Sequence, residues 1–96
     1  MRIVGRDKLH EFAGSHADAR TWIENWLADT QKVEWVDTHD IKARYASVSF
    51  LKPSVAIFNV KGNRYRLEVN VAFKTKTVVV AWIGTHAEYD KRNKKR

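Results

Sequence analysis

Between Arg64 and Phe73 apolar and polar side chains alternate. Tyr65, Leu67, Val69, Val71 and Phe73 take every second position, and Arg64, Arg66, Glu68 and Asn70 take those between. A period of two is the pattern of a strand with one buried and one wetted face. An apolar run over residues 55–60 precedes it and another over 77–83 follows it, and both predict strands. Gly62-Asn63, between the first two runs, supplies the positive φ angles that a tight hairpin requires. The three strands together predict an antiparallel meander.

Upstream the period changes. Ala19, Trp22, Ile23, Trp26, Leu27 and Thr30 recur at helical spacing up to Lys32, behind Ser15 and Asp18, which resemble a capping pair. A shorter helix is expected from a cap at Asp7 through Leu9, Phe12 and Ala13, stopped by Gly14. Ile3 and Val4 suggest a brief edge strand. Residues 33–54 read as a connection with a helical turn or two near 38–45, and Pro53 breaks whatever precedes the next strand. After the last strand Thr85 is placed to cap a short helix starting at His86, and the run 91–96 is expected to fray. The fold class that follows is α+β: one domain over residues 1–96, with two N-terminal helices packed on one face of an antiparallel sheet of three to four strands.

Charge sharpens this picture because it is uneven. Up to Ile41 there are five basic and eight acidic residues, net −3; from Lys42 onward there are thirteen basic and three acidic, net +10. The positive field therefore belongs to the strands and the end of the chain, where an anionic partner would approach. Nucleic acid fits best, since lysine and arginine contacts to phosphate dominate such binding. A membrane surface fits poorly, because the basic half reads as strands and lacks an amphipathic basic helix. No apolar run approaches the roughly 20 residues that cross a bilayer, and no targeting segment is visible. The chain has no cysteine, which excludes disulfides and thiolate metal sites and accords with a cytoplasmic protein.

Arg64 and Arg66 fall on the polar side of their strand. A pair of guanidinium groups suits phosphate recognition and can stabilise charge that develops at phosphorus; the plainer reading is two solvated side chains, paired with Glu68. His86 sits at a strand-to-helix corner, where an imidazole can act as general acid or base, donate to a phosphate, or simply pack the strand end. Tyr89, one helical turn on, can stack on a base or plug the end of the sheet. Lys61 and Asn63 flank the hairpin and Lys52 lies near the start of the meander, each within reach of a phosphate or merely solvated. Lys91 and the lysines after it act as general electrostatic attraction. Trp22, Trp26 and Trp82 alternate or recur with core positions, whereas Trp35 has no evident place. His10, His16, His39 and His86 are scattered without ligand spacing, so neither a metal site nor any other cofactor is expected.

Two stretches, Ile57-Phe58-Asn59-Val60-Lys61-Gly62-Asn63-Arg64-Tyr65-Arg66-Leu67 and Gly84-Thr85-His86-Ala87-Glu88-Tyr89-Asp90, together resemble the HigB toxins of bacterial type II toxin–antitoxin systems. Length, the helical first half and the basic end agree with them. The resemblance implies a RelE-like ribonuclease that cuts messenger RNA, typically on the translating ribosome, and that a helix-turn-helix antitoxin of the HigA type neutralises. It implies helices on the convex side of the sheet and an active concave side. By the same resemblance Arg66, helped by Arg64, takes the phosphate charge, His86 serves as acid or base, and Tyr89 orients the base or the scissile phosphate. Only one histidine stands in the motif, so a symmetrical pair of imidazoles is not available. A non-catalytic RNA-binding module and a protein-docking module remain as alternatives that the charge alone would satisfy.

Overall fold

The alternating stretch becomes the middle strand of a sheet, and everything else is placed by which of its two faces is covered. The computed structural model describes residues 1–94. In chain order they form β1 (Arg2–Val4), α1 (Arg6–Ser15), a 3-10 turn (Ala17–Ala19), α2 (Arg20–Lys32), α3 (Thr38–Arg44), β2 (Ser49–Lys52), β3 (Val55–Val60), β4 (Tyr65–Ala72), β5 (Thr77–Thr85) and α4 (His86–Lys94). The sheet order is β1-β5-β4-β3-β2, with β2 to β5 antiparallel and β1 parallel to β5.

The core lies between this sheet and α1 and α2. Leu9 and Ala13 of α1, and Ile23, Trp26 and Leu27 of α2, bury against Phe58, Leu67, Val69, Val78 and Val80. Phe58 is the hub of the aromatic packing, its ring centroid 5.6 Å from that of Trp26 and 5.1 Å from that of Tyr45. Edge-to-face pairs of this kind add about 0.5–1.5 kcal/mol each beyond the area they bury. Trp35, without a place in the sequence pattern, is buried in the same core.

The architecture differs from the expectation in its counts. Among the described residues there are five strands, and the first runs parallel to its neighbour: β1 has one inward residue, Ile3, and its partner Val78 is distant in sequence, so nothing local sets its direction. The stretch read as a connection holds both α3 and β2. Only Ile41 of α3 is buried, and β2 is mostly exposed, so neither element shows an apolar stripe. The helix α3 is fixed instead by its cap, Asp37, whose carboxylate accepts from the Asp40 amide at 3.2 Å.

Local caps also differ. Gly5, not Asp7, precedes α1, at φ 93°, and a Cβ there would lie 3.1 Å from the Val80 carbonyl oxygen. Helix α1 runs through Gly14 to Ser15. Asp18 turns away from Ser15 and toward β4, where it accepts from the Tyr65 hydroxyl at 2.8 Å. In the β3–β4 turn the positive φ angles belong to Lys61 (53°) and Gly62 (68°), one residue earlier than expected. Helix α4 continues to Lys94, so residues 91–94 of the run expected to fray are helical; 95 and 96 lie outside the described residues.

One irregularity controls the second face of the sheet. Val80 pairs with Val69 and Trp82 with Glu68, so Ala81 is an extra residue on β5, a β-bulge. Every side chain after it changes face. Trp82, expected in the core with Val78 and Val80, therefore lies on the opposite, outer face beside Glu68.

Candidate active site

The outer face can be read as rows of residues across three strands. Register places Asn59, Arg66 and Gly84 in one row and Ile57, Glu68 and Trp82 in the next. Helix α4 lies over part of this face. The Tyr89 ring packs on Trp82 at 6.0 Å, and the Arg92 guanidinium sits 5.5 Å from the centre of the same indole while reaching Glu68 Oε2 at 3.5 Å. Gly84 leaves the room this needs: a Cβ there would fall 2.5 Å from the Trp82 ring.

The start of α4 is built by a reciprocal cap. The Glu88 amide donates to Thr85 Oγ1 at 3.1 Å, and the Thr85 amide donates to Glu88 Oε1 at 2.9 Å. Accepting that backbone bond holds the Glu88 carboxyl below its ordinary pKa, with the Thr85 hydroxyl as the next contribution. The His86 amide donates to the Arg64 carbonyl at 3.0 Å, which ties the first residue of α4 to the start of β4. The imidazole is half-exposed, with Nε2 3.5 Å from Asp90 Oδ2 one turn along the helix.

Arg66 is half-buried on the outer face. Its Nη2 donates to Asn63 Oδ1 at 3.1 Å and its Nη1 to the Tyr65 carbonyl at 3.3 Å. Because β4 pairs Arg66 with Gly84, two residues before His86 opens α4, Arg66 and His86 lie at one end of the sheet. That end of the sheet carries the Arg66 guanidinium, held by Asn63, and the half-exposed His86 imidazole. Such a set can hold a phosphodiester and exchange a proton with it.

Other candidates lie elsewhere. Arg64, expected to share the face of Arg66, turns to the helix side, where its Nη1 meets Asp18 Oδ2 at 2.8 Å. Asp18 thus binds Tyr65 and Arg64 together, and the Tyr65 hydroxyl, followed by Arg64, holds its pKa down. Lys61 also faces the helix layer, lining a groove with Asp18, Thr21 and Trp22. Tyr89, which the resemblance expected to meet substrate, is 8% exposed and plugs the end of the sheet as the plainer reading had it, because the bulge puts Trp82 where its ring can pack. Lys52 is on the outer face at the far end, lining a groove with Leu51, Val55 and Glu68. Lys91 is exposed on α4.

Sequence reasoning did not anticipate the part played by Trp82, Glu68 and Arg92. Glu68 was legible as a charge on the polar side of β4, but its burial, 5% exposed, follows from the bulge and from Arg92. The Thr85-x-x-Glu88 spacing did carry a capping signal.

Comparison with curated proteins returns no match. A family model does match, over residues 19–92, which takes in α2, the whole β2–β5 meander and the part of α4 that carries His86, Tyr89 and Arg92. With the helix-backed sheet and both motif stretches inside that span, the chain belongs to the HigB toxin family, the RelE-like toxic components of toxin–antitoxin systems.

Proposed function

We propose that the protein is an endoribonuclease that cleaves messenger RNA at the corner formed by Arg66 and His86. What supports this reading is that Arg66 pairs with Gly84 and the His86 amide donates to the Arg64 carbonyl, so both residues belong to the same end of the sheet, beside the start of α4. In the reaction the RNA's own 2′-oxygen bonds to phosphorus and the bond to the 5′-oxygen breaks. The 2′-hydroxyl proton is removed and the departing 5′-oxygen gains one, leaving a cyclic phosphate and a free 5′-hydroxyl. No metal is required. Arg66 stabilises the charge on the pentacovalent phosphorus, Asn63 holds that guanidinium in place, and His86 carries one of the two proton transfers. Tyr89 acts through α4, by keeping His86 at the corner.

One imidazole leaves the second proton transfer without a matched partner. Positioning of the message by the ribosome would offset this, since alignment of reacting groups supplies a large part of a barrier reduction. The protein is accordingly proposed to act during translation in the cytoplasm, and to be silenced by a helix-turn-helix antitoxin of the HigA type.

Induced expression in a bacterial host, with primer extension on cellular mRNA, tests the proposal. Wild type should arrest growth and leave new 5′ ends inside translated frames. His86→Ala should lower cleavage by about 10²–10⁴-fold and Arg66→Ala by about 10²–10³-fold, with unchanged circular dichroism. A soluble wild-type protein that binds RNA yet leaves it intact would reduce the corner to a binding surface.

A further inference from the structure

The β3–β4 turn joins two sides of the molecule. Asn63 holds Arg66 on the outer face, whereas Lys61, two residues earlier, lines a groove of about 430 Å³ in the helix layer with Asp18, Thr21, Trp22 and Asn25. Thr21 and Asn25 are four residues apart on α2, so they are neighbours on one face of that helix, with Trp22 beside them.

The fold makes no use of these polar groups. Thr21, Asn25 and Lys61 are exposed, and among the described residues their side chains have no hydrogen-bond or ionic partner. The carboxylate in the lining, that of Asp18, is already taken by the Tyr65 hydroxyl at 2.8 Å and by Arg64 at 2.8 Å, which balances its charge. Trp22 is only partly buried. Its ring centroid is 6.5 Å from that of Phe58 and 6.3 Å from that of Tyr45, and the indole also forms a wall of the groove. A tryptophan at the margin of a core is ordinary packing. Packing does not explain why an open carboxamide, hydroxyl and ammonium surround it.

An indole wall stacks on any nucleobase, since every base has a π-face. The Asn25 carboxamide both donates and accepts, which matches a base edge, and the Lys61 ammonium meets a phosphate. Bases are open to such contacts in single strands. Spacing agrees: the Cα atoms of Lys61 and Asn63 are at most about 7 Å apart, a gap short enough for one strand of RNA to touch both.

Resting on the nuclease reading above, we propose that the groove between α2 and the β3–β4 turn is an RNA subsite that holds a nucleotide flanking the cut. The base stacks on Trp22 and bonds to Asn25, and its phosphate lies at Lys61. The RNA strand thus runs from Arg66 over the turn into the helix layer.

The test is an NMR titration of labelled protein, at low salt, with a single-stranded hexanucleotide that 2′-O-methylation protects from cutting. The Trp22 indole N–H and the Asn25 side-chain amide should shift together with the Arg66 amide. Trp22→Leu should weaken binding by roughly 5- to 100-fold. Because Trp22 also supports Phe58, two exposed positions repeat the test: Asn25→Ala should weaken binding, and Lys61→Gln should lower the slope of log affinity against log salt by about 0.7. Groove signals that stay still, with equal affinity in all three variants, overturn the subsite; a groove built for a protein partner gives that result. The two readings fail separately. If the hexanucleotide shifts the groove signals but wild type cuts no message in cells, the nuclease reading falls and the subsite stands. If message is cut while the groove stays silent, the subsite falls alone.

Discussion

At the scale of single residues, Gly84 decides whether the corner can exist. It stands opposite Arg66 in the register, and the Trp82 ring occupies the space in which any side chain would begin. Gly84→Ala must push a large, doubly packed indole away from Tyr89 and Arg92. Overpacking of this kind costs about 1–3 kcal/mol, so urea denaturation should show a lower midpoint, and cleavage should fall with it because α4 is displaced. An unchanged midpoint would mean that Trp82 moves freely and does not anchor α4. Arg64 and Arg66 make the opposite point about adjacent residues. They are two apart and chemically identical, yet Asp18 draws one to the helix side while Asn63 keeps the other on the outer face.

At the scale of elements, α4 carries His86, and its first turn depends on the Thr85–Glu88 cap. Thr85→Ala should cost about 1 kcal/mol and show as faster hydrogen exchange confined to the start of α4, with reduced cleavage. The cap also sets a pH dependence. The carboxyl of Glu88 is held below its ordinary value of 4.5 in the folded chain, so its contribution is complete above that value and is lost as pH falls through the lowered one. Acidification into that range should loosen the first turn of α4 in wild type and not in Glu88→Gln; an identical acid response in both would exclude Glu88 as its cause. Elements also show what the sequence could and could not disclose. The alternation of β4 and the stripe of α2 were legible because each repeats over several residues against one core. The bulge was not, since residues 78–83 are all apolar and a one-residue change of face leaves no mark in such a run. With the bulge unseen, Trp82 read as core, and Tyr89, for which plugging the end of the sheet was one reading, had no visible partner to plug against. Likewise β1 has too few residues to reveal its partner, and Asp18 was read as a cap because its bonds are to residues 46 and 47 positions away.

At the scale of the whole molecule, charge and topology act together. The residues up to Ile41 carry net −3 and the remainder +10, and the second group includes every strand but β1. RNA binding should therefore weaken steeply with salt. Replacing Lys91 or Lys52 by Gln should lower the slope of log affinity against log salt by about 0.7 for each phosphate contact removed, equally for all RNA sequences. An unaltered slope would place these lysines outside the RNA path. Topology sets a different consequence, in time. Strands β2 to β5 join neighbours through short turns, whereas Arg2 meets Thr77 only by closing a loop of about three-quarters of the chain. Local pairings form early and distant ones late. The pairing of Arg66 with Gly84 belongs to the local meander, so in refolding β1 is expected to dock after it, on the far edge of β5. The strands that carry the proposed cleavage corner would thus be paired before the sheet is complete.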